Sequence, residues 1–251
     1  NAHRINRGEA PRLNAKGSDF FFERAVSPSD AAKRIVALCA SRLPSFLHLD
    51  PVRQMQVLSP TKKGECGVWM LNQLLQAEFN PAAPGKHERV RGDTTFREGD
   101  KVMQIRNNYQ MEWEIRGING IVAERGMGVF NGDLGMIRSI NPYTEVITVE
   151  FEEGKFADYT FKQADELELA YATTIHKAQG SEYPAVVIPL LGGPRMLMTR
   201  NLLYTAVTRA RKCVTIVGSD VTFQAMIGNH IEANRYTTLA RRIREMQEEN
   251  A

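Results

Sequence analysis

The chain of 251 residues is 43% apolar and 24% charged, a composition typical of a folded globular protein and unlike that of a disordered one. Its formal net charge of +3 only weakly favours a polyanionic partner, and its three cysteines are too scattered for a disulfide framework or a metal site. Since it has neither a signal peptide nor an apolar run of about 18 residues, we expect a cytoplasmic protein without a membrane partner.

The first predicted elements are a strand and a helix. The aromatic run at 19–23 predicts a short buried strand. Ser27 followed by Pro28 is typical of a helix start, because a serine hydroxyl caps free N–H groups and proline fits the first helical position. Apolar residues recur on one face up to residue 43, and we expect Pro44 to end this helix.

A second strand and helix follow. Residues 55–58 predict a strand and residues 68–79 a helix, and the polar turn between them carries Lys62 and Lys63. A strand, a polar turn and a helix form half of a βαβ unit, whose turn lies at the carboxyl end of the strand. The two lysines either contact phosphate there or belong to an ordinary solvated turn.

Four further side chains are interpreted as surface or packing residues. Asn72 and Gln76 lie off the apolar face of the helix at 68–79, so we expect them on the surface. Trp69 and Trp113 are interpreted as packing residues rather than as platforms on which nucleobases stack.

The middle of the chain has the composition of a β-rich module. Short strand-like runs are separated by glycine and asparagine turns, at 101–105, 134–140, 146–151 and 155–161. They indicate a small antiparallel barrel or sandwich, which we place at 96–166 as an insertion into an α/β domain. Residues 111–128 have no clean period, which fits either a hairpin or a mobile loop.

A polar stretch lies between two predicted strands further along the chain. The alternating run at 167–171 and the apolar run at 185–188 predict the strands, and residues 173–182 between them are mostly polar. Polar residues between two strands often form a site at the edge of a sheet, although an ordinary solvated loop explains them equally well.

The last third of the chain contains a helix with an unusual polar face. A helical period covers 201–211, where Thr205, Thr208 and Arg209 share one face. Threonine is a poor helix former, so these hydroxyls are candidates for a functional role. The charged segment at 236–249 predicts a surface helix.

The order of the elements predicts an open sheet. Three core-type strands alternate with helices, at 55–58, 185–188 and 213–217, which indicates a mostly parallel α/β sheet. We expect the polar segments at 59–64, 173–182 and 205–209 to converge on one crevice of this sheet.

Motifs that bind nucleotide phosphates or metals are absent from the sequence. No GxxxxGK[ST] phosphate loop occurs, and no strand ends in an acidic pair suited to Mg²⁺. The five histidines are too dispersed for a metal site. The sequence therefore lacks a complete nucleotide triphosphatase site, and because its first residue is Asn rather than Met, we expect it to be part of a longer protein.

Two segments carry a family resemblance. The run Thr174-Ile-His-Lys-Ala-Gln-Gly-Ser-Glu182 resembles motif V of superfamily 1 helicases, and Tyr204-Thr-Ala-Val-Thr-Arg-Ala-Arg211 resembles motif VI. Further segments resemble the start of the second motor domain and the SH3-like insertion of RecD-type helicases of the 5′→3′ branch, at 56–76, 99–109 and 129–137. Both motifs in this order, with an insertion before them, are a specific signal.

The resemblance implies a fold and a function. The fold is a RecA-like domain made of residues 1–95 and 167–251, with a mostly parallel sheet flanked by helices and an SH3-like β module inserted at 96–166. The function is that of the C-terminal portion of an ATP-dependent DNA helicase or single-strand translocase. Its partners would be single-stranded DNA and a missing N-terminal motor domain that holds ATP and Mg²⁺. The family also implies 5′→3′ movement and a role in recombination or repair.

The resemblance also implies site residues. Arg209 would be an arginine finger that reaches the γ-phosphate of ATP, and Gln179, Gly180 and Glu182 would line the nucleotide side with it. The residues implied to contact the DNA backbone are Ser59, Thr61, Asn72, Asn108, Tyr109, Asn131, Thr174 and His176. Phosphate contacts carry no sequence information, so we expect binding to be sequence-neutral and sensitive to salt. The interval between Tyr109 and Asn131 is longer than the family's usual turn.

Two other classes remain open. One is a non-catalytic nucleic-acid-binding or regulatory module that keeps a RecA-like shell, and the other is an unrelated α/β protein with chance motif matches. A phosphate loop and an acidic pair upstream of residue 1 would indicate a motor, and their absence a binding module. Under the helicase interpretation, the chain alone is predicted to bind single-stranded DNA weakly and not to hydrolyse ATP.

Overall fold

A computed structural model describes residues 1–117, 120–191, 193–194, 196–229 and Met246. The strands are β1 (Phe20–Arg24), β2 (Met55–Ser59), β3 (Glu88–Arg91), β4 (Thr94–Arg97), β5 (Lys101–Gln104), β6 (Asn108–Arg116), β7 (Val122–Val129), β8 (Leu134–Asn141), β9 (Val146–Phe151), β10 (Lys155–Thr160), β11 (Leu167–Leu169), β12 (Ala172–Thr174), β13 (Tyr183–Leu190) and β14 (Ala210–Gly218). The helices are α1 (Ala2–Asn6), α2 (Pro28–Ala37), α3 (Leu43–Leu47), α4 (Val68–Phe79), α5 (Arg200–Val207) and α6 (Asp220–Gly228). Apart from Met246, the helix expected at 236–249 lies outside the described residues. Within the described ranges, no helix is long and apolar enough to cross a membrane.

The first sheet contains five parallel strands in the order β1-β14-β13-β2-β12. Helices cover both of its faces, which explains why β2 is buried along its whole length. On one face, Ile35 of α2 and Leu71 of α4 belong to the same core as Val57. On the other face, Leu203 of α5 belongs to the same core as Leu58. The predicted α/β fold with a parallel sheet is confirmed.

The second sheet contains seven antiparallel strands in the order β11-β5-β8-β9-β10-β6-β7. Four of them, β5, β8, β9 and β10, occupy the predicted runs, so the β-rich insertion is confirmed. In the range 111–128, which lacks a clean period, residues 111–116 belong to β6 and residues 122–128 to β7, and these two strands pair as a hairpin. Most side chains of this hairpin are at least partly exposed on both sides, which removes the alternation by which a strand is recognised.

The chain returns from the insertion to the parallel sheet within one predicted strand. Strand β11 pairs with β5 in the antiparallel sheet, whereas β12 pairs with β2 in the parallel sheet. The single strand expected at 167–171 is therefore wrong, because the chain changes sheets between Leu169 and Ala172. The division of the chain at residues 95 and 166 stays a prediction, and β11 continues the antiparallel sheet to Leu169.

The first long helix begins at the predicted residue, and helical backbone continues past its expected end. The Ser27 hydroxyl accepts a hydrogen bond from the Asp30 N–H at 3.1 Å and so caps α2. The expected end at Pro44 is wrong, because a π-helical turn at Leu38–Arg42 leads directly into α3, which contains Pro44. A π turn changes the hydrogen-bond spacing, which accommodates a residue that cannot donate.

A buried carboxylate joins the insertion to the helices of the parallel sheet. Asp100 is fully buried, and it accepts hydrogen bonds from Gln76 Nε2 at 2.6 Å, Asn80 Nδ2 at 2.7 Å and Tyr171 Oη at 3.0 Å. Gln76 was expected on the surface, but it is buried because its amide serves this carboxylate. Side chains from α4, the insertion and the strand junction thus share one hydrogen-bonding centre.

Lys101, the next residue along the chain, is a buried cation that makes a second contact with the parallel sheet. Its Nζ donates to Met55 O at 3.1 Å and to Gln56 Oε1 at 3.0 Å, both in β2. Burial disfavours the charged ammonium and lowers the pKa of Lys101 to about 8. The insertion is therefore attached to the parallel sheet by a lysine whose burial costs free energy.

Replacing Lys101 by methionine tests how much free energy the burial of the lysine costs. Between about pH 8 and the normal lysine pKa, the unfolded chain binds more protons than the folded chain, so stability rises with pH in this window. We expect the free energy of unfolding of the wild type, relative to Lys101→Met, to rise by about 1 kcal/mol between pH 7 and pH 9. Urea unfolding at several pH values measures this difference, and a difference independent of pH would contradict the lowered pKa.

Candidate functional site

The polar stretch at 175–182 connects opposite ends of the parallel sheet. It leaves β12 at Thr174, which lies beside Ser59 at the carboxyl end of β2. It enters β13 at Tyr183, which lies beside Ala210 at the amino end of β14. Because these strands are parallel, the stretch begins at the edge of the sheet formed by the carboxyl ends of the strands and finishes at the opposite edge, formed by their amino ends.

The expected single crevice is therefore wrong. Residues 59–64 follow a strand and residues 205–209 precede one, and parallel strands place such segments at opposite edges. Apart from Asn72, the candidate residues outside the insertion divide into two groups. The carboxyl-end cluster is Ser59, Thr61, Thr174 and His176, and the amino-end cluster is Gln179, Gly180, Glu182 and Arg209.

Arg209 is the centre of the amino-end cluster. It lies in the turn between α5 and β14, because the helix predicted there ends earlier, at Val207. Its half-buried guanidinium donates to Thr205 O, Ser181 O and Thr208 Oγ1, each at 3.2 Å. A guanidinium carries five N–H donors, so these contacts within the described chain leave two for a ligand.

The other members of the amino-end cluster are exposed. The Glu182 carboxylate accepts a hydrogen bond from Arg211 Nε at 2.8 Å, and both side chains are at least half exposed. An ion pair of this kind is screened by water and contributes little stability, so the carboxylate is free to change partners. Gln179 and Gly180 lie in the exposed turn before it, and Gly180 has a φ of 93° that favours glycine.

The carboxyl-end cluster presents three polar groups at the ends of adjacent strands. Thr174 is nearly buried, and its hydroxyl oxygen accepts a hydrogen bond from the Lys177 N–H at 3.3 Å while its own hydrogen stays available. His176 is exposed in the turn that follows. Thr61 is half-buried and its hydroxyl donates to Lys63 O at 3.2 Å.

The structure corrects the predicted DNA contact of Ser59. This side chain is fully buried; its Oγ donates to Cys66 O at 2.8 Å and accepts from the Thr61 N–H at 3.2 Å. A phosphate contact needs a donor that solvent can reach. Both hydrogen bonds of this hydroxyl are instead made within the loop that follows β2. Ser59 therefore shapes the loop that carries Thr61.

Asn72 is corrected in the same way. It is buried rather than on the surface, and its Nδ2 donates to Leu169 O at 3.0 Å and to Ala172 O at 2.9 Å. Its Oδ1 accepts from the Ala172 N–H at 2.8 Å. Since both donors of the amide and its oxygen are used, Asn72 clamps α4 to the segment between the two sheets and does not face a nucleic acid.

The candidate residues of the insertion come together at the base of the hairpin. The Tyr109 ring is exposed and packs edge-on against Phe130, with ring centroids 5.6 Å apart. The Asn131 N–H donates to Asn107 Oδ1 at 2.9 Å, and Asn108 lies in the same turn at the start of β6. The pairing of β6 with β7 brings the two ends of the long interval together, so Tyr109 and Asn131 share one surface.

Sequence reasoning missed two residues beside the carboxyl-end cluster. Trp69 is 54% exposed, so its interpretation as a packing residue is wrong, whereas Trp113 packs partly buried on the core as expected. Thr173 is buried, and its hydroxyl has no hydrogen-bond partner among the described residues. Neither has a signal in the apolar pattern, because tryptophan counts as apolar wherever it lies and threonine is common in strands.

Two family models match the chain. The model of the ATP-dependent RecD-like DNA helicase SH3 domain matches residues 71–151, which contain β3 to β9. The model of the UvrD-like helicase C-terminal domain matches residues 169–217, which contain the polar stretch and Arg209. These matches define the class of protein as a helicase C-terminal domain with an SH3 domain in the preceding part of the chain.

Sequence relatives within this class include RecD-type helicases. The chain is 34% identical over 243 residues to the ATP-dependent RecD2 DNA helicase of Deinococcus radiodurans, covering 97% of this chain and 29% of that protein. It is 37% identical over 102 residues to the RecBCD enzyme subunit RecD of Mycobacterium tuberculosis, covering 41% of this chain and 17% of that protein. A crystal structure of Pif1 helicase from Bacteroides in complex with ADP-AlF3 and ssDNA aligns with a TM-score of 0.48 and 16% identity, covering 99% of this chain and 53% of that one.

The family models and the sequence relatives show that the chain belongs to the RecD-like DNA helicases. It spans less than a third of the length of the RecD2 and RecD relatives. The resemblance seen in motifs V and VI is confirmed.

Replacing Asn72 by alanine tests its role as a clamp. The change leaves the Ala172 N–H and two carbonyl groups without their partner, so we expect a loss of about 2–4 kcal/mol in the free energy of unfolding. Gln73→Ala is the matched control, because Gln73 is exposed on the same helix and its loss is expected to cost less than about 0.5 kcal/mol. Urea unfolding of both variants measures the effect, and similar losses would contradict the clamp.

Proposed function

We propose that the chain is the C-terminal part of an ATP-dependent DNA helicase or single-strand translocase and supplies the second of its two motor domains. The observation that carries this proposal is the Arg209 guanidinium, which keeps two unused donors on a helicase-type motif. An N-terminal motor domain of the same protein would hold most of the nucleotide. A cytoplasmic location and a role in DNA recombination or repair belong to the same proposal, on the strength of the family.

Arg209 acts as the arginine finger of this proposal. Its planar guanidinium stays charged and can donate two parallel hydrogen bonds to a phosphate. Its contacts with Ser181 O and Thr208 Oγ1 are long, so exchanging one of them for a phosphate oxygen costs little. Glu182 then accepts from a ribose hydroxyl or keeps Arg211, and Gln179 and Gly180 line the same side.

Magnesium would be bound elsewhere. In nucleotide triphosphatases Mg²⁺ neutralises charge on the phosphates. In the described part of the chain, no group of three His, Cys, Asp or Glu side chains could hold a metal ion. On the strength of the family resemblance, the proposal assigns the ligands of Mg²⁺ to the other motor domain.

The strand of DNA would lie along the carboxyl-end cluster and the base of the hairpin. Thr61, Thr174 and His176 offer donors to its phosphates at the ends of β2 and β12. Tyr109 and Asn131 offer donors from the insertion together with Asn108, whose amide would exchange a hydrogen bond to Glu166 Oε2 at 3.0 Å for a phosphate. Such contacts read the backbone and not the bases, so binding is sequence-neutral.

A non-catalytic nucleic-acid-binding module is the second candidate. It shares with the first candidate a chain without a phosphate loop. The two candidates differ in the protein that contains this chain, since only the motor has a GxxxxGK[ST] segment and an acidic pair ahead of residue 1.

The variant Arg209→Ala in the full-length protein tests the arginine finger. We expect DNA-stimulated ATP turnover to fall by about 10³-fold, because the charge that forms on the transferred phosphoryl group loses its partner. Binding of single-stranded DNA, measured by fluorescence anisotropy, is expected to stay unchanged. Arg211→Ala is the matched control, since Arg211 is an exposed neighbour paired with Glu182, and it is expected to keep most of the turnover. Equal loss of turnover and of DNA binding in Arg209→Ala would argue against the finger.

A salt titration of the 251-residue chain tests the DNA-binding surface. We expect weak binding of oligo-dT, whose affinity falls as salt rises with a slope of about −0.7 for each phosphate that a cation neutralises. We also expect no DNA-stimulated ATP turnover by this chain alone. Binding without any dependence on salt, or measurable turnover, would contradict the proposal.

A further inference from the structure

Trp69 is a large aromatic side chain that the fold leaves uncovered. It is the second residue of α4, and 54% of its surface is exposed, although the preceding Val68 is buried. An indole gains free energy from any apolar surface that covers it, so an exposed tryptophan on a well-packed helix indicates a contact surface.

The loop before Trp69 fixes its backbone. The Val68 N–H donates to Thr61 O at 3.1 Å, and the Trp69 N–H donates to Lys62 O at 3.2 Å. Gly67 packs so tightly that a Cβ there would lie 2.4 Å from Lys63 O. The backbone that carries the ring is therefore held before any ligand arrives, which reduces the entropy lost on binding.

The ring lies beside the carboxyl-end cluster. One small cavity has Lys62, Trp69, Thr173, Thr174 and Lys177 among its lining residues. The Thr173 hydroxyl is buried there without a hydrogen-bond partner among the described residues. Lys62, Trp69 and Thr174 therefore line one surface, whereas the buried Thr173 hydroxyl is out of reach of a strand that lies on it.

Cations flank the ring. Lys63 Nζ lies 5.7 Å from the centroid of the Trp69 ring, and Lys62 and Lys63 are both exposed. Lys177 is paired with Glu168 at 2.6 Å, whereas Lys62 and Lys63 are exposed cations of the loop that carries the ring. An aromatic ring with exposed lysines next to it matches the alternation of base and phosphate along a single strand.

We propose that Trp69 stacks on a base of the single strand, next to the nucleotide whose phosphate meets Thr174. This inference rests on the proposed function, which assigns only phosphate contacts to this cluster. Every base offers a π face, so stacking adds affinity without reading sequence. An apolar protein surface placed on the ring would leave Lys62 and Lys63 facing it without partners, which disfavours a protein as the occupant.

The experiment compares two ligands that differ only in their bases. One is an oligo-dT of about 12 nucleotides and the other is an abasic deoxyribose-phosphate strand of the same length. Dissociation constants are measured for the wild-type chain, Trp69→Ala, Trp69→Phe and the matched control Met70→Ala, which changes the adjacent exposed residue of α4. A Trp113→Phe background leaves Trp69 as the only tryptophan, so its fluorescence reports directly on contact with a base.

We expect Trp69→Ala to bind oligo-dT about 5- to 100-fold more weakly and the abasic strand as tightly as the wild type. Trp69→Phe should keep most of the affinity, Met70→Ala all of it, and oligo-dT should quench Trp69 fluorescence where the abasic strand does not. Unchanged oligo-dT binding by Trp69→Ala, or equal loss on both strands, would overturn the stacking role and leave the proposed function intact. Failure of the wild type to bind either strand would overturn the proposed function as well.

Discussion

Two backbone hydrogen bonds fasten the polar stretch and thereby set the positions of both clusters. The Ile175 N–H donates to Ser59 O at 3.1 Å, and the Tyr183 N–H donates to Arg209 O at 2.8 Å. The few residues between these points cannot slide, because each end is tied to a different strand of one parallel sheet. A displacement at one edge must be absorbed by the turn or passed to the other edge. An element that two ligands both contact can couple them, and under the proposed function the stretch is such an element.

The insertion can contribute residues to the proposed DNA surface only because it is fixed to the parallel sheet. Asp100 and Lys101 are neighbours in sequence and both are buried, one accepting hydrogen bonds from α4 and the other donating to β2. Burying such groups costs free energy, and what it provides is a single orientation in which all their partners are satisfied. Tyr109 and Asn131 therefore keep a set direction relative to the strand ends, which the proposed track for one strand of DNA would need.

The sequence predicted the elements whose burial is periodic and failed where a partner lies far away in the chain. Helix α4 follows from apolar spacing, and the strands β5, β8, β9 and β10 follow from short runs bounded by glycine and asparagine turns. Asn72 and Gln76 have the same polarity as surface residues, and their interior role depends on a backbone oxygen 97 residues away and a carboxylate 24 residues away. Motif likeness found Arg209 and Thr174, whereas the placement of their segments at opposite edges required the strand order. Trp69 could be recognised only from its exposure in the folded chain, since hydropathy alone cannot separate a buried indole from an exposed one.

Helix α4 links the interior network to the surface that we propose for DNA. Its buried side holds Asn72, whose amide grips Leu169 O and Ala172 O, and its exposed first turn holds Trp69. Thr174 lies at the end of the strand that Asn72 grips. The distance between the Trp69 ring and the Thr174 hydroxyl is thus set by a buried hydrogen-bonded contact rather than by a loop. A stacking ring and a phosphate donor can serve adjacent nucleotides only if their spacing is constant, and the clamp within α4 is the feature that makes it so.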